Sequence, residues 1–358
     1  MKNKVLFVFA LAILTACGSK TERKSSENVK TLRLSHNSVQ KIDIHSHFQF
    51  TRDYLPEFFE KWNMQSVLVD VAIEDSRAWD SYVENEQQNS NLFFLCSSLI
   101  GTGIDSPDFA QKNIKRLEKE IASGAKMVKV WKNFGMVTKD GSGNFIQIDD
   151  KRLQPIWDFL VEKEIPVMAH IGEPVQAWRP LDDPKNPHFG YYTEHPQYHA
   201  YKLLEIPAYE TIIAARDRWI ENNPSLQILC THMGSMSHDV EMVAERLDKF
   251  PNMYVEPAAR FGDLASQDSK KVNAFFQKYQ DRVFFGTDYG NSMVQDSISD
   301  LEIEKKELDE NYNNLWKYLS GTDSLIIRNQ KTNGLGLPTD ILKKVYFQNA
   351  SSFLKLDN

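Results

Sequence analysis

The sequence predicts an α/β protein, a closed (β/α)8 barrel of the TIM type. Three observations carry this expectation. Eight short apolar, β-branched runs recur along the chain, an amphipathic stretch follows each, and several runs end in a titratable side chain. Parallel strands joined by helical crossovers either close on themselves or expose their edges, and eight such units in series favour closure over the runner-up, a doubly wound open sheet.

The strands are expected at 41–46, 66–72, 92–97, 126–131, 166–170, 227–232, 253–256 and 283–287. Each is short, apolar and bounded by polar residues, as buried parallel strands are. Helices are expected at 54–62, 76–89, 107–123, 152–163, 207–222, 237–250, 269–279 and 339–347, the last behind Pro338, whose missing N–H is harmless at a helix start. Two connections exceed the usual length of about two to six residues. One covers 172–206 and is rich in Pro, His, Tyr and Trp; the other covers 289–337, and its segment LEIEKKELDENYNNLWKYL is expected to form an extra helical hairpin. Both leave the carboxyl ends of strands, where a barrel builds its site, so both are expected to wall or lid a pocket, with simple insertion as the alternative.

Residues 1–16 read as a secretory signal peptide, because the apolar run from Val5 to Leu14 behind Lys2 and Lys4 is too short to span a bilayer. Leu14-Thr15-Ala16-Cys17 resembles the lipobox of bacterial lipoproteins, which implies lipidation of Cys17 and a membrane anchor. Gly18 and Ser19 follow with no aspartate beside Cys17, so the resemblance implies the outer membrane of a cell envelope, on its periplasmic or surface face. Residues 17–38 are polar and suit a flexible tether, and the folded domain is expected over 39–358. The formal net charge of −7, more acidic once Lys2 and Lys4 are removed, argues against nucleic acid as a partner. Cys96 and Cys230 fall inside expected strands and read as buried free thiols, and no CxxC pattern is present.

Side chains alternate along a strand, so in QKIDIHSHFQF the residues Asp43, His45 and His47 are expected on one face and Ile42 and Ile44 on the other. The fourth strand carries Lys129 on the face of Met127 and Trp131, and the fifth, sixth and eighth end at His170, His232 and Asp288. A lone histidine closing an apolar run is more often a satisfied structural residue than a ligand. Four histidines, a lysine and an aspartate at the ends of five strands of one barrel point instead to a divalent metal site, since imidazole and carboxylate ligate zinc-like ions. Arg260, after the seventh strand, suits either a clamp for a substrate carboxylate or a structural ion pair. Glu173, Trp178, Arg179, His195 and Tyr198 lie in 172–206, where they suit substrate specificity or loop scaffolding equally.

In this order, IDIHSH, VKVWKN, MAHIGE, CTHMG and FGTDYG resemble the amidohydrolase superfamily, in the amidohydrolase-related branch that also contains aminocarboxymuconate semialdehyde decarboxylase and related decarboxylases and lactonases. The resemblance runs from Val39 to Leu356 and implies a distorted barrel. It further implies that His45, His47, His170 and Asp288 hold one divalent metal, most often zinc, with manganese or another divalent ion as alternatives. His232 would stand beside the attacking water, Asp288 would take its proton, and Asp43 would orient a ligand imidazole. In two-metal relatives a lysine at the end of the fourth strand is carboxylated and bridges both ions, which puts Lys129 either there or against an anionic substrate. The implied activity is hydrolysis of a lactone, ester or amide of a small anionic molecule. A nonoxidative carboxy-lyase is the alternative, a non-catalytic binding lipoprotein the third reading, and a homodimer is compatible with the family.

Overall fold

The computed structural model describes residues 34–356 apart from 74–75, 185 and 292–297. The expected signal peptide, the lipidated Cys17 and most of the tether lie outside the described residues. Eight parallel strands, β1 (Lys41–His47), β2 (Met64–Val69), β3 (Phe93–Ser98), β4 (Ala125–Val130), β5 (Val167–Ala169), β6 (Ile228–Cys230), β7 (Met253–Val255) and β8 (Tyr289–Gly290), form one sheet in the order β7-β6-β5-β4-β3-β2-β1-β8. The ring closes through a parallel bridge between Val255 and Val283, with Phe284 N–H donating to Val255 O at 2.9 Å. The architecture is therefore the distorted TIM barrel.

The eighth strand departs from expectation. Residues 283–285 hold the edge of β7, yet regular pairing with β1 resumes only at Tyr289. Asp288 takes a left-handed φ of 64°, and its N–H donates to His45 O at 2.7 Å, which breaks the ladder just before the site.

Alternate residues of the strands serve two layers. Ile42, Ile44, Val67, Val69, Cys96, Met127, Met168, Leu229 and Phe284 form the barrel interior, closed below by Ala350, Phe353 and Leu354 of the last helical segment. Their neighbours Leu68, Leu95, Val128, Ile228 and Phe285 face outward and pack on helix residues such as Phe59, Leu117, Trp157 and Ile212. Burying each such large apolar side chain contributes about 1.5–3 kcal/mol. Cys96 and Cys230 are both buried and free.

This layering corrects the expected phase of β1. Ile42 and Ile44 are inside, whereas Asp43 points outward to Tyr312. From Asp43 to Ser46 β1 advances three residues while β2 advances two, Ser66 to Leu68. This bulge inserts one surplus residue, and the histidines that follow it join Ile44 on the interior side.

The segment expected as a helical hairpin is instead one continuous helix, Ile298–Ser320. Leu308, Tyr312, Leu315, Trp316 and Leu319 are all buried at helical spacing, and no Gly or Pro interrupts them. The helix lies along Leu55–Trp62, with the Tyr312 ring 5.7 Å from both Phe58 and Trp62. An antiparallel hairpin not foreseen from sequence follows, β9 (Ser324–Ile327) and β10 (Gln330–Asn333). Its two turn residues, Arg328 and Asn329, have φ of 46° and 65°, as a tight two-residue hairpin turn requires.

Candidate metal centre and its cavity

Two residues beyond the interior layer, the same strand faces carry the polar site. Lys129 follows Met127, His170 follows Met168, Glu256 follows Tyr254, and Asp288 lies four past Phe284. Period-two alternation thus delivers them to one end of the barrel.

His45, His47 and Asp288 meet there. Asp288 Oδ1 lies 3.0 Å from His47 Nε2 and 3.3 Å from His45 Nε2. The Nδ1 of His47 donates to Val69 O at 2.9 Å, and Nδ1 of His45 faces Glu256 Oε1 at 2.9 Å. A carbonyl only accepts, so the Nδ1 proton of His47 is fixed and its Nε2 presents a lone pair. A lone pair 3.0 Å from a carboxylate oxygen is repulsive unless a cation is shared between them.

His232 completes the group. Its Nδ1 donates to Ala258 O at 2.7 Å, which leaves Nε2 as the free imine nitrogen, and its ring centroid lies 5.1 Å from that of His45. His170 stands 4.3 Å from His232, centroid to centroid, and its Nε2 is buried without a partner among the described residues. Donor atoms of His45, His47 and Asp288 lie within 4.8 Å of one another, as do those of His45, His232 and Glu256, while His170 falls outside both groups. Imidazole nitrogens, a carboxylate and an orphaned histidine nitrogen fit a divalent ion of the zinc type.

Local backbone conformation aims these groups. His232, Ala259 and Asp288 all have left-handed φ, at 57°, 54° and 64°, conformations retained where the surrounding structure enforces them. Gly286 permits the close packing, because a Cβ there would come within 2.9 Å of Glu256 Oε2 and 3.2 Å of His45 Cβ.

Charge follows burial. Desolvation holds the imidazoles of His45, His170 and His232 well below their ordinary pKa, so they are neutral. Burial pushes the Asp288 carboxyl up, but its contacts with His45, His47 and His232 outweigh it and hold it well below the usual carboxylate range. Lys129 Nζ lies 3.3 Å from His45 Nε2, and burial pulls its ammonium down to about 8.

Glu256, absent from the sequence-based site, orients the His45 ring. Its Oε1 also accepts the His232 N–H at 3.1 Å, and Oε2 accepts the Ala258 N–H, so one buried carboxylate joins two histidine-bearing strands. The signal was present in NMYVEP as a strand-terminal acid like the others. Asp43 does not orient an imidazole ring: its carboxylate accepts the His45 backbone N–H and faces Thr287 and Tyr312.

A cavity of about 610 Å³ opens over the centre, lined by His170, His232, Asp288, Arg260, Glu173 and Tyr191 and, at its mouth, by Arg328 and Asn329. Arg260 is 9 % exposed and its Nε has no partner among the described residues. Glu173 is engaged by Lys132, a residue the sequence reading passed over, and by Tyr192 O–H at 3.2 Å, with Arg260 Nη2 at 3.8 Å. Lys132 Nζ also stands 3.5 Å over the Tyr198 ring, and His195 packs 4.8 Å from Tyr191. Trp178 and Arg179 do not line the cavity. The short helix Val175–Trp178 turns the Trp178 indole N–H to Pro207 O at 3.0 Å and leaves Arg179 exposed.

The comparisons bear on this geometry. The amidohydrolase family model matches residues 42–356. No curated protein matches the chain. Among solved structures, 2,6-dihydroxybenzoate decarboxylase from Rhizobium superposes with a TM-score of 0.55 at 14 % identity, covering 89 % of this chain and 100 % of that one. A 2,6-dihydroxybenzoate decarboxylase complexed with 2,6-dihydroxybenzoate gives 0.53 at 13 %, over 89 % and 99 %. An uncharacterised TIM-barrel protein from Bordetella bronchiseptica gives 0.50 at 13 %, over 88 % and 99 %. At such identities the likeness extends to the fold alone. The family match, in contrast, runs through all eight strands and every polar strand end, and by it the chain belongs to the amidohydrolase family, in its amidohydrolase-2 branch.

Proposed function

We propose that the chain is a metal-dependent hydrolase that opens a lactone, ester or amide carbonyl in a small anionic molecule. One observation carries the reading: Asp288 Oδ1 lies 3.3 Å from His45 Nε2 and 3.0 Å from His47 Nε2, an arrangement that calls for a shared cation, and Asp288 lines a cavity large enough for a small substrate. These three atoms, with the unpartnered His170 Nε2, would hold the ion; zinc suits the donor set first, manganese or another divalent ion next. Held there, a divalent ion supplies Lewis acidity, polarising a carbonyl oxygen and bringing the pKa of water to about 7.

The chain's own groups do the rest. Asp288, ionised at neutral pH, accepts the proton of the attacking water on its second oxygen. His232 is neutral with its Nε2 lone pair fixed towards the site, so it can take up a proton and return it to the leaving oxygen or nitrogen. Arg260 offers its unpartnered Nε to a substrate carboxylate. That same guanidinium favours the second reading, a carboxy-lyase, because it would fix a carboxylate that is to leave as carbon dioxide.

Metal content of the purified protein, chelation and readdition, and the Asp288→Asn and His47→Ala variants test the proposal. The expected result is about one equivalent of divalent metal and a loss of turnover on the order of 10³-fold in D288N. Turnover of a lactone and carboxylic ester panel is followed by acid release and by carbon dioxide. Carbon dioxide at turnover stoichiometry overturns the hydrolase in favour of the lyase, and absence of metal with unaltered variants overturns both.

A further inference from the structure

Asp43 occupies an unusual place for a buried carboxylate. It is fully enclosed on the outward side of β1, and four donors reach it: Oδ1 accepts the N–H of His45 at 3.2 Å and of Thr287 at 3.0 Å, and Oδ2 accepts Thr287 Oγ1 at 2.5 Å and Tyr312 O–H at 2.6 Å. The Asp288 N–H in turn donates to His45 O at 2.7 Å. Asp43 therefore ties together the two backbone segments that carry the donor atoms, the bulged end of β1 and the turn at 287–288. The 3.0 and 3.3 Å contacts of Asp288 Oδ1 with the two histidines span those same two segments.

Three of the four donors come from the segments being tied, so they cannot place Asp43 relative to the rest of the molecule. Tyr312 can. It is carried by the inserted helix Ile298–Ser320, and its ring is wedged 5.7 Å from Phe58, 5.7 Å from Trp62 and 5.4 Å from Tyr289. Its hydroxyl is enclosed and stays a donor, since burial pushes its pKa well above the ordinary value.

We infer that Tyr312 is a positioning residue for the metal centre: its hydroxyl, delivered from the inserted helix, holds Asp43 so that His45, His47 and Asp288 present their donor atoms at ligating distance. This rests on the metal reading proposed above. Hydrogen-bond partners of ligand-bearing groups typically change metal affinity by about 10–100-fold.

The test is zinc affinity, measured by competition with a chromophoric chelator on full-length protein, for wild type, Tyr312→Phe and Asp309→Ala. Tyr312→Phe removes one oxygen and keeps the ring packing. Asp309→Ala loosens the same helix, through the lost partners of Lys61 and Trp62, without touching Asp43. The expected result is roughly tenfold or greater loss of zinc affinity in Y312F, with wild-type affinity and a lowered melting temperature in D309A. Wild-type affinity in Y312F overturns the inference, as does equal loss in both variants, which would make the helix a general support. A wild type that binds no zinc overturns the metal reading itself, and so separates that failure from this one.

Discussion

The two long connections leave the same end of the barrel and do different work. That at 172–206 stays at the rim, where Glu173, Phe189 and Tyr191 line the cavity and a buried Asp263 fastens it, accepting from Ser237 Oγ at 2.6 Å and pairing with His188 Nε2 at 2.9 Å. Among the described residues, the connection from 291 to 337 brings its hairpin tip, Arg328 and Asn329, to that cavity, while its helix packs behind β1. The difference follows from patterning. The second segment has apolar residues at helical spacing and must bury them against the barrel, whereas the first has aromatic and polar residues without a sustained period and settles into short helical pieces, Phe189–Glu194 the longest of them. Where a loop begins does not determine where it works.

The largest effect expected from breaking this contrast is at Glu173. Glu173→Gln leaves the buried Lys132 and Arg260 without their carboxylate, and urea unfolding should show a loss of about 3–5 kcal/mol; a loss below about 1 kcal/mol would mean that charge does not hold the wall. Asp263→Asn comes next, at about 2 kcal/mol, and its effect should depend on pH. Burial pushes the Asp263 carboxyl up, but His188, Arg260 and Ser237 hold it below its ordinary 3.8. A depressed carboxyl stabilises fully above the unfolded value and ceases to as pH falls through the folded one, so the wild-type advantage over D263N should shrink only below pH 3.8. Equal stability of wild type and D263N at pH 6 would remove Asp263 from the clasp.

On the other connection, Asp309→Ala should cost about 0.5–1 kcal/mol, given the exposure of its partner Lys61. It should leave KM unchanged, and a raised KM would make the helix part of the substrate wall after all. The smallest change is expected for Arg328→Gly. Relief of the left-handed backbone is offset by glycine's entropy, so the melting temperature should reflect a net change within about 0.5 kcal/mol. A larger fall would show that the guanidinium braces the cavity mouth.

Much of this was legible in the sequence because barrel strands reveal themselves by apolar runs and because His170, His232 and Asp288 terminate such runs. The bulge in β1 was not legible, since it is defined by the register of a partner strand 20 residues away, Ser46 beside Ser66. Alternation alone therefore put Asp43 with the histidines. Glu256 closes the expected strand at 253–256 and carried the same signal as the other strand ends, whereas Lys132 lies three residues past Lys129, beyond the expected strand end at 131. The helix from 298 to 320 showed its period, but nothing in it told one long helix from two short ones except the missing breaker.

The surplus residue in β1 makes the centre sensitive to chain length in a way that it is not sensitive to composition. Removing Ile44 would keep both histidines and their HxH spacing while abolishing the surplus, so that plain alternation from Asp43 alone would have to turn the pair to the cavity. Single-residue deletions, which substitution libraries never sample, thus probe whether a matching HxH motif still has an ion-binding site behind it.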